Sequence, residues 1–221
     1  AMKLGKHCYC EKPLTYSVFE ARQMARIASE KQLVTQMGTQ IHAGDNYRRV
    51  VELIQAGAIG SVREVHVWLG ASFDGPPNPE TLSQPDAPID HPPIPGTLDY
   101  DLWLGPAAYR AYSPAYVPFQ WRYWWNFANG QLGDFFCHYC DLVFWALHLR
   151  HPLTVEAQGP VHAERTAQWT IARQEFAARG TLPPVTLNWY NGGPYPTYVK
   201  ENNVPQWGSA VLFVGSKGML I

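Results

Sequence analysis

Asp134, His138, Asp141 and Trp145 follow one another at spacings of four, three and four, so a helix over this stretch carries all four on one face. The residues between them, Phe135, Phe136, Leu142, Val143, Phe144 and Leu147, are apolar, which makes the four a polar stripe on a largely buried element. A carboxylate one turn from an imidazole fixes its tautomer and raises its basicity, the usual way of orienting a general base. An Asp and a His that only tie a core together would have the same spacing. Both readings stay open at this point.

Other groups could join that stripe. Lys12 stands in Glu11-Lys12-Pro13, where the proline pushes the lysine out of the helical region and holds its ammonium at a strand end, the place where α/β proteins put ligands. A surface lysine before a turn would look the same as a bare tripeptide. Gln40 and His42 lie in a loop between Gly38 and Gly44, after a second strand, so they could line the same crevice; a solvated loop histidine is the plain alternative. Trp121, Arg122, Trp124 and Trp125 offer stacking planes and a guanidinium suited to hydroxyl or carboxylate groups, or else a packed aromatic core or subunit interface.

Cys137 and Cys140 have the C-x-x-C spacing of a zinc knuckle, and Cys8 and Cys10 could supply two more thiolates. Residues two apart on a strand point to opposite faces, so Cys8 and Cys10 cannot both face one ion without distortion. No metal is expected. Neither a G-x-G-x-x-G nor a P-loop string occurs, so nothing in the motifs points to a phosphate site.

The elements that must position these groups read as follows. A short apolar strand at residues 8–13 precedes a helix whose start, Ser17 with Glu20, is a capping-box pattern, and whose Ala21, Met24, Ala25 and Ala28 form a buried face. Residues 33–37 read as a short buried strand. Residues 45–56 read as a second helix with Tyr47, Val50, Val51 and Ile54 inward and Gly57 to end it. Strand, helix, strand, helix suggests parallel α/β pairing. Residues 62–71 alternate, with Val65, Val67 and Leu69 on one face and Glu64, His66 and Trp68 on the other, as in a half-exposed sheet. Eight prolines between positions 76 and 95 make a stiff extended loop. A helix at 134–149 and alternating runs at 169–176, 185–190 and 211–214 complete an α+β pattern, with a boundary near Gly60.

Composition bounds the function. The chain has 221 residues with Lys+Arg 17 against Asp+Glu 18, so it lacks the basic excess that generic nucleic-acid binding needs. No apolar run approaches the roughly 20 residues of a membrane helix, and "AMKLGKHCYC" has no signal core. Four cysteines without a signal imply reduced thiols, hence a cytoplasmic protein. Charged residues are 16%, below the roughly 25% of ordinary domains, and aromatics 14%; such a surface meets sugar rings, a nucleotide or another subunit.

Together the pieces resemble the Gfo/Idh/MocA family, the glucose-fructose oxidoreductase and inositol dehydrogenase group. The likeness runs through "GKHCYCEKPL" (Gly5 to Leu14), "TQMGTQIHAG", "LIQAGAIGSVREVHVW" (Leu53 to Trp68) and "WRYWWNFANGQLGDFFCHYCDLVFWAL" (Trp121 to Leu147). It implies residues 1–60 as the C-terminal remnant of a Rossmann α/β domain. Residues 61–221 would then be an open, mostly antiparallel β-sheet domain with helices on one face, which binds substrate and pairs subunits into a homo-oligomer. The cofactor would be NAD or NADP, beside Glu11, Lys12, Pro13 and Gln40, and the substrate a sugar, polyol or related cyclic alcohol. Lys12, Asp134 and His138 would be catalytic: His138 takes the hydroxyl proton, Lys12 positions the oxygen, and Asp134 binds a neighbouring hydroxyl. Gln40, His42, Trp121, Arg122 and Asp141 would contact substrate. The sequence departs from the family in carrying His42 where many members have an arginine, and in lacking the glycine-rich turn for the pyrophosphate. A fragment is therefore expected, and "GSKGMLI" stops where a hairpin's return strand should begin. Alternatives are a member that cleaves glycosides through transient oxidation, a metal-assisted lyase, or a non-catalytic dimerisation or ligand-binding domain.

Overall fold

The computed structural model describes residues 1–70 and 88–221. The first strand, β1 (Cys8–Glu11), pairs in parallel with β2 (Thr35–Gly38), in the register Cys8↔Thr35 to Glu11↔Gly38. The crossover between them is helix α1 (Val18–Glu30). Its start is the capping box expected from the sequence: Ser17 Oγ accepts from the Glu20 amide at 3.3 Å, and the Glu20 carboxylate accepts from the Ser17 amide at 3.0 Å.

The face of α1 departs from expectation. Ala21, Met24, Ala25 and Ala28 were read as buried, yet no residue of α1 is, nor is any residue of β2. The same four residues instead line an open groove of about 260 Å³ with Cys8, Cys10 and Met37. The physical reason is area: two strands form too narrow a sheet to cover a helix face, and a two-stranded unit needs further partners to bury apolar surface. Among residues 1–46 only Met2 is buried.

Helix α2 (Asp45–Gln55) behaves differently. Tyr47, Val51 and Ile54 are buried as its spacing requires, and the chain leaves it at Ala56 and Gly57, the latter at φ 74, a conformation glycine adopts without strain. Its inner stripe packs on helix α4 (Gly130–Leu147), and the Tyr47 hydroxyl donates to the His138 carbonyl at 2.9 Å.

Six strands form the main sheet in the order β4 (Thr154–Gln158), β5 (Thr170–Phe176), β6 (Val185–Asn191), β3 (Val62–Leu69), β7 (Ser209–Gly215) and β8 (Gly218–Leu220). Only β3 and β6 pair in parallel; the other pairings are antiparallel. The mostly antiparallel, mixed α+β architecture expected from the sequence is therefore present. Helices α2 and α4 cover one face over Val65, Val67, Leu187, Trp189 and Phe213, all essentially without solvent contact. Each such side chain contributes about 1.5–3 kcal/mol by burial.

Three further expectations need correction. β3 is not half-exposed: His66 and Trp68, on its second face, are 4% and 0% exposed. Being central in the sheet, β3 is covered on that side too, by Tyr190, Tyr195, Tyr198, Val199 and Val204, several of them on or beside helix α5 (Thr197–Glu201). The return strand, expected to begin where "GSKGMLI" stops, already starts within that string as the three-residue β8, with Phe213 opposite Leu220. The site helix α4 begins at Gly130, four residues before Asp134, and stops at Leu147 because His148 turns left-handed at φ 53.

Residues 71–87, including Pro76, Pro77, Pro79 and Pro85 of the proline-rich stretch, lie outside the described residues; 88–95 have no regular structure. The short helix α3 (Tyr100–Leu104), capped by Asp99, and a 3-10 turn at Gln120–Tyr123 then lead into α4.

Candidate active site

Helix α4 is fixed at its start by a buried polar chain. Trp189 Nε1 donates to Asn191 Oδ1 at 2.7 Å, and Asn191 Nδ2 donates to Gln131 Oε1 at 3.2 Å, tying β6 to the first turn of α4. Asn191 is 1% exposed, so this amide chain has no water to compete with it and sets the rotation of the helix.

That rotation turns the polar stripe toward the loops after β1 and β2. Each member meets a residue from those loops. Lys12, just past β1, contacts the Asp134 carboxylate through Oδ1 and donates to the Asp134 carbonyl at 3.0 Å. Arg122 Nε donates to Asp134 Oδ2 at 3.1 Å, so one carboxylate is shared by two cations. One turn further along, His138 Nδ1 lies 3.5 Å from the Gln40 carbonyl, and His138 is 5% exposed. Beyond it, His42 Nδ1 and Asp141 Oδ2 are 2.6 Å apart, and the His42 ring stacks on Trp145 with centroids 4.6 Å apart.

Electrostatics follows from burial. Asp134, with its side chain 10% exposed, lies between the Lys12 and Arg122 cations, an arrangement in which charge-assisted hydrogen bonds are short and strong. The guanidinium of Arg122 is also held over the Phe119 and Trp121 rings at 4.4 and 4.5 Å. Burial, with the nearby Asp141 charge adding to it, pushes the Tyr47 phenol above its usual range, so it stays a neutral donor to the His138 carbonyl. The Cys137 thiol is pushed up by burial, against the pull of Lys12, and buried Cys140 lies well above the usual thiol range. Both are unreactive thiols under neutral conditions. Among the described residues no three His, Cys, Asp or Glu side chains are grouped to hold a metal ion.

A cavity of about 340 Å³ opens beside this cluster, walled by Pro13, Leu14, Tyr16, Trp121, Arg122 and Asp134. His138 is not on its wall, because the loop after β2 covers it. Glu11 is exposed at the end of β1, and Gln40 reaches the helix only through its main chain. The structure thus brings Asp134, Arg122 and Trp121 to one cavity, with Lys12 behind them on Asp134 and off the cavity wall, His138 under the Gln40 turn, and His42 with Asp141 and Trp145 farther along the helix.

Trp124, grouped in the sequence with Trp121 and Trp125, is 5% exposed and packs with Tyr116 and Tyr123 in a separate aromatic core. Sequence reading missed Tyr16, Asn129 and Gly133, which also line the cavity. Gly133 carried a signal: it stands one residue before Asp134, where an added Cβ would come 2.6 Å from the Asn129 side chain.

Residues 46–181, more than half of the chain, match the Gfo/Idh/MocA model described as the oxidoreductase family, C-terminal alpha/beta domain. A dTDP-3,4-didehydro-2,6-dideoxy-alpha-D-glucose 3-reductase of Actinomadura kijaniata is 31% identical over 80 residues, 36% of this chain and 23% of that protein. The Streptomyces violaceoruber reductase of the same name is 38% identical over 77 residues, 35% and 21% of the two chains. Among solved structures, the WlbA dehydrogenase of Bordetella pertussis, in complex with NADH and UDP-GlcNAcA, superposes with a TM-score of 0.61 at 15% identity over 99% of this chain and 51% of its own. An inositol dehydrogenase homologue of Azotobacter vinelandii, in complex with NADH and myo-inositol, gives 0.58 at 18% identity over 100% and 45%. At such identities the likeness is one of fold. The chain spans about half the length of these structures and under a quarter of the curated relatives it matches.

Proposed function

This chain belongs to the Gfo/Idh/MocA oxidoreductase family, and from that premise we propose that it forms the substrate side of an NAD(P)-dependent oxidoreductase acting on a sugar, polyol or related cyclic alcohol. The observation that carries the proposal is the contact of Lys12 with Asp134 at the wall of a cavity. It joins a strand end, where α/β folds place ligands, to the helix bearing a carboxylate and an imidazole one turn apart.

The residues present fit one end of a dinucleotide. Pro13 and Leu14, which follow Lys12 in the chain, give the cavity an apolar wall that suits a nicotinamide ring. When bound, the nicotinamide supplies the acceptor or donor of a hydride. Of the three N–H donors of Lys12, two are taken by Asp134, and the third is left to hold the substrate oxygen. His138 takes the proton of the reacting hydroxyl as the carbon–oxygen double bond forms, and returns it in the reverse direction. For this the turn at Gln40 has to move off the imidazole. Asp134 holds Lys12 and Arg122 in place and keeps the charge near balance around a neutral alcohol.

Residues 1–60 serve in this proposal as the closing strands and helices of the nucleotide-binding domain, and 61–221 as the substrate domain. Two copies pair through the sheet, whose edge strand β4 has every residue exposed, Val155 at 61%. Among the described residues no helix is long and apolar enough to cross a membrane.

Titration with NADH tests the assignment. Binding followed by nicotinamide fluorescence, in the chain joined to the remaining half that its solved relatives have, is the expected result. Absence of binding there overturns it.

A further inference from the structure

A second cavity, of about 740 Å³, adjoins the first and shares Tyr16, Glu20, Trp121 and Phe127 with it. Its own walls are Trp103, Pro106, Ala107, Ala108, Trp125 and Asn126. Trp125 is the telling residue. Its amide donates to the Glu164 carbonyl at 2.9 Å and its carbonyl accepts from the Tyr16 hydroxyl, so the backbone is clamped on both sides. The indole itself is 39% exposed and has neither a ring contact nor a hydrogen bond among the described residues. Trp124 beside it is buried at 5%, with its Nε1 donating to the Ala115 carbonyl at 2.8 Å. A rigid backbone that presents an unpartnered indole to a cavity offers a flat apolar plane at little entropic cost.

The charges decide what lies on that plane. Among the described residues no lysine or arginine lines the larger cavity, and Glu20, which lines both cavities, has its carboxylate on the Tyr16 and Ser17 amides. Arg122, in the smaller cavity, is already held by Asp134 and by the Phe119 and Trp121 rings. A diphosphate in the larger cavity would find no lysine or arginine among the described lining residues to receive its charge. A pyranose ring has an apolar C–H face for the indole and uncharged hydroxyls for Asn126 and the cavity mouth.

We propose that the larger cavity is a second subsite that takes an additional uncharged pyranose ring, so that the substrate is a glycoside rather than a free monosaccharide or a nucleotide-linked sugar. This rests on the proposed function only for the ring that reacts in the smaller cavity. Occupancy of the larger one is a matter of binding and needs no cofactor.

The test is a titration of the purified chain, followed by tryptophan fluorescence and saturation-transfer NMR. The probes are glucose, galactose, cellobiose, maltose, lactose, p-nitrophenyl β-D-glucoside, UDP-glucose and dTDP-glucose. At least one neutral glycoside is expected to bind about tenfold tighter than its monosaccharide, the strength of one good stacking contact. That advantage is expected to vanish in Trp125→Ala. Because Ala108 is exposed on the cavity wall, Ala108→Trp fills the cavity without touching the core, and it should remove the same advantage while the circular dichroism stays unchanged. Tighter binding of either nucleotide sugar than of every neutral glycoside overturns the proposal, as does equal binding of glycosides and monosaccharides across the panel. Loss of NADH binding with the glycoside preference intact would remove the oxidoreductase reading and leave the subsite standing.

Discussion

Lys12 and Asp134, 122 residues apart in the chain, meet through two contacts at once: the ammonium reaches both the carboxylate and the main-chain carbonyl of the aspartate. The carbonyl contact, at 3.0 Å, belongs to the first turns of α4, so the lysine reads the position of the helix as well as its charge.

Removing the carboxylate should therefore cost more than removing the ammonium. Asp134→Ala leaves Lys12 and Arg122 facing each other with side chains only 21% and 23% exposed, and we expect a loss of about 2–3 kcal/mol. Lys12→Met should cost less, and combining the two should recover part of the loss. Urea denaturation of the double-mutant cycle measures the coupling; strictly additive effects would contradict the contact.

Activity separates the site's members. In the chain joined to the remaining half that its solved relatives have, the proposed function expects Lys12→Met and His138→Ala each to lower kcat/KM by at least about 100-fold, the range of a positioned acid or base. Near-normal turnover in either variant removes that residue from the mechanism. Tyr47→Phe, which deletes only the donor to the His138 carbonyl, should cost about 1 kcal/mol of stability and much less activity.

Stability should fall with acid through His66. Burial lowers its pKa in the folded chain below the usual 6.5, against the smaller opposing pull of Glu64. The unfolded chain then binds the proton more tightly, so stability is full above about pH 6.5 and is lost as pH falls below it. The ring is packed against Tyr190 and Tyr198, with the Glu64 carboxylate 3.2 Å from Nε2. Thermal melts between pH 8 and pH 5 should show this slope in the wild type and a flatter one in His66→Leu; identical slopes would refute it.

Gly192 should not tolerate a side chain. It sits at φ 72, and a Cβ there would come 1.9 Å from the Gln168 carbonyl oxygen. Gly192→Ala is expected to lose about 2 kcal/mol or more, since both the backbone conformation and the close approach of the Gln168 carbonyl resist it. A melting temperature within a degree of wild type would show that the close approach is not maintained in solution.

Much of the local structure was legible in order along the chain. The capping box at Ser17 and Glu20, the inner stripe of α2, and the alternation of β5, β6 and β7 are signals carried by neighbours a few residues apart. The polar stripe Asp134, His138, Asp141 and Trp145 was legible for the same reason, because helical period alone puts the four on one face. The face of α1 was misread because burial depends on how much sheet lies beneath a helix, which its own spacing does not report. β3 was misread because its covering residues come from 190–204, more than a hundred positions away.

The sequence by itself determined which residues could do chemistry and that they would share a helix face, since residue type and a 3.6-residue period are local properties. Only the tertiary structure decided their partners: Lys12 and Arg122 on Asp134, the Gln40 turn over His138, His42 on Asp141, and the Trp125 indole left facing a cavity. Pairings of this kind are set by how the β1 and β2 loops dock on α4. That docking follows from the burial of α2 and the buried amide chain through Asn191, contacts between segments that no short-range pattern encodes.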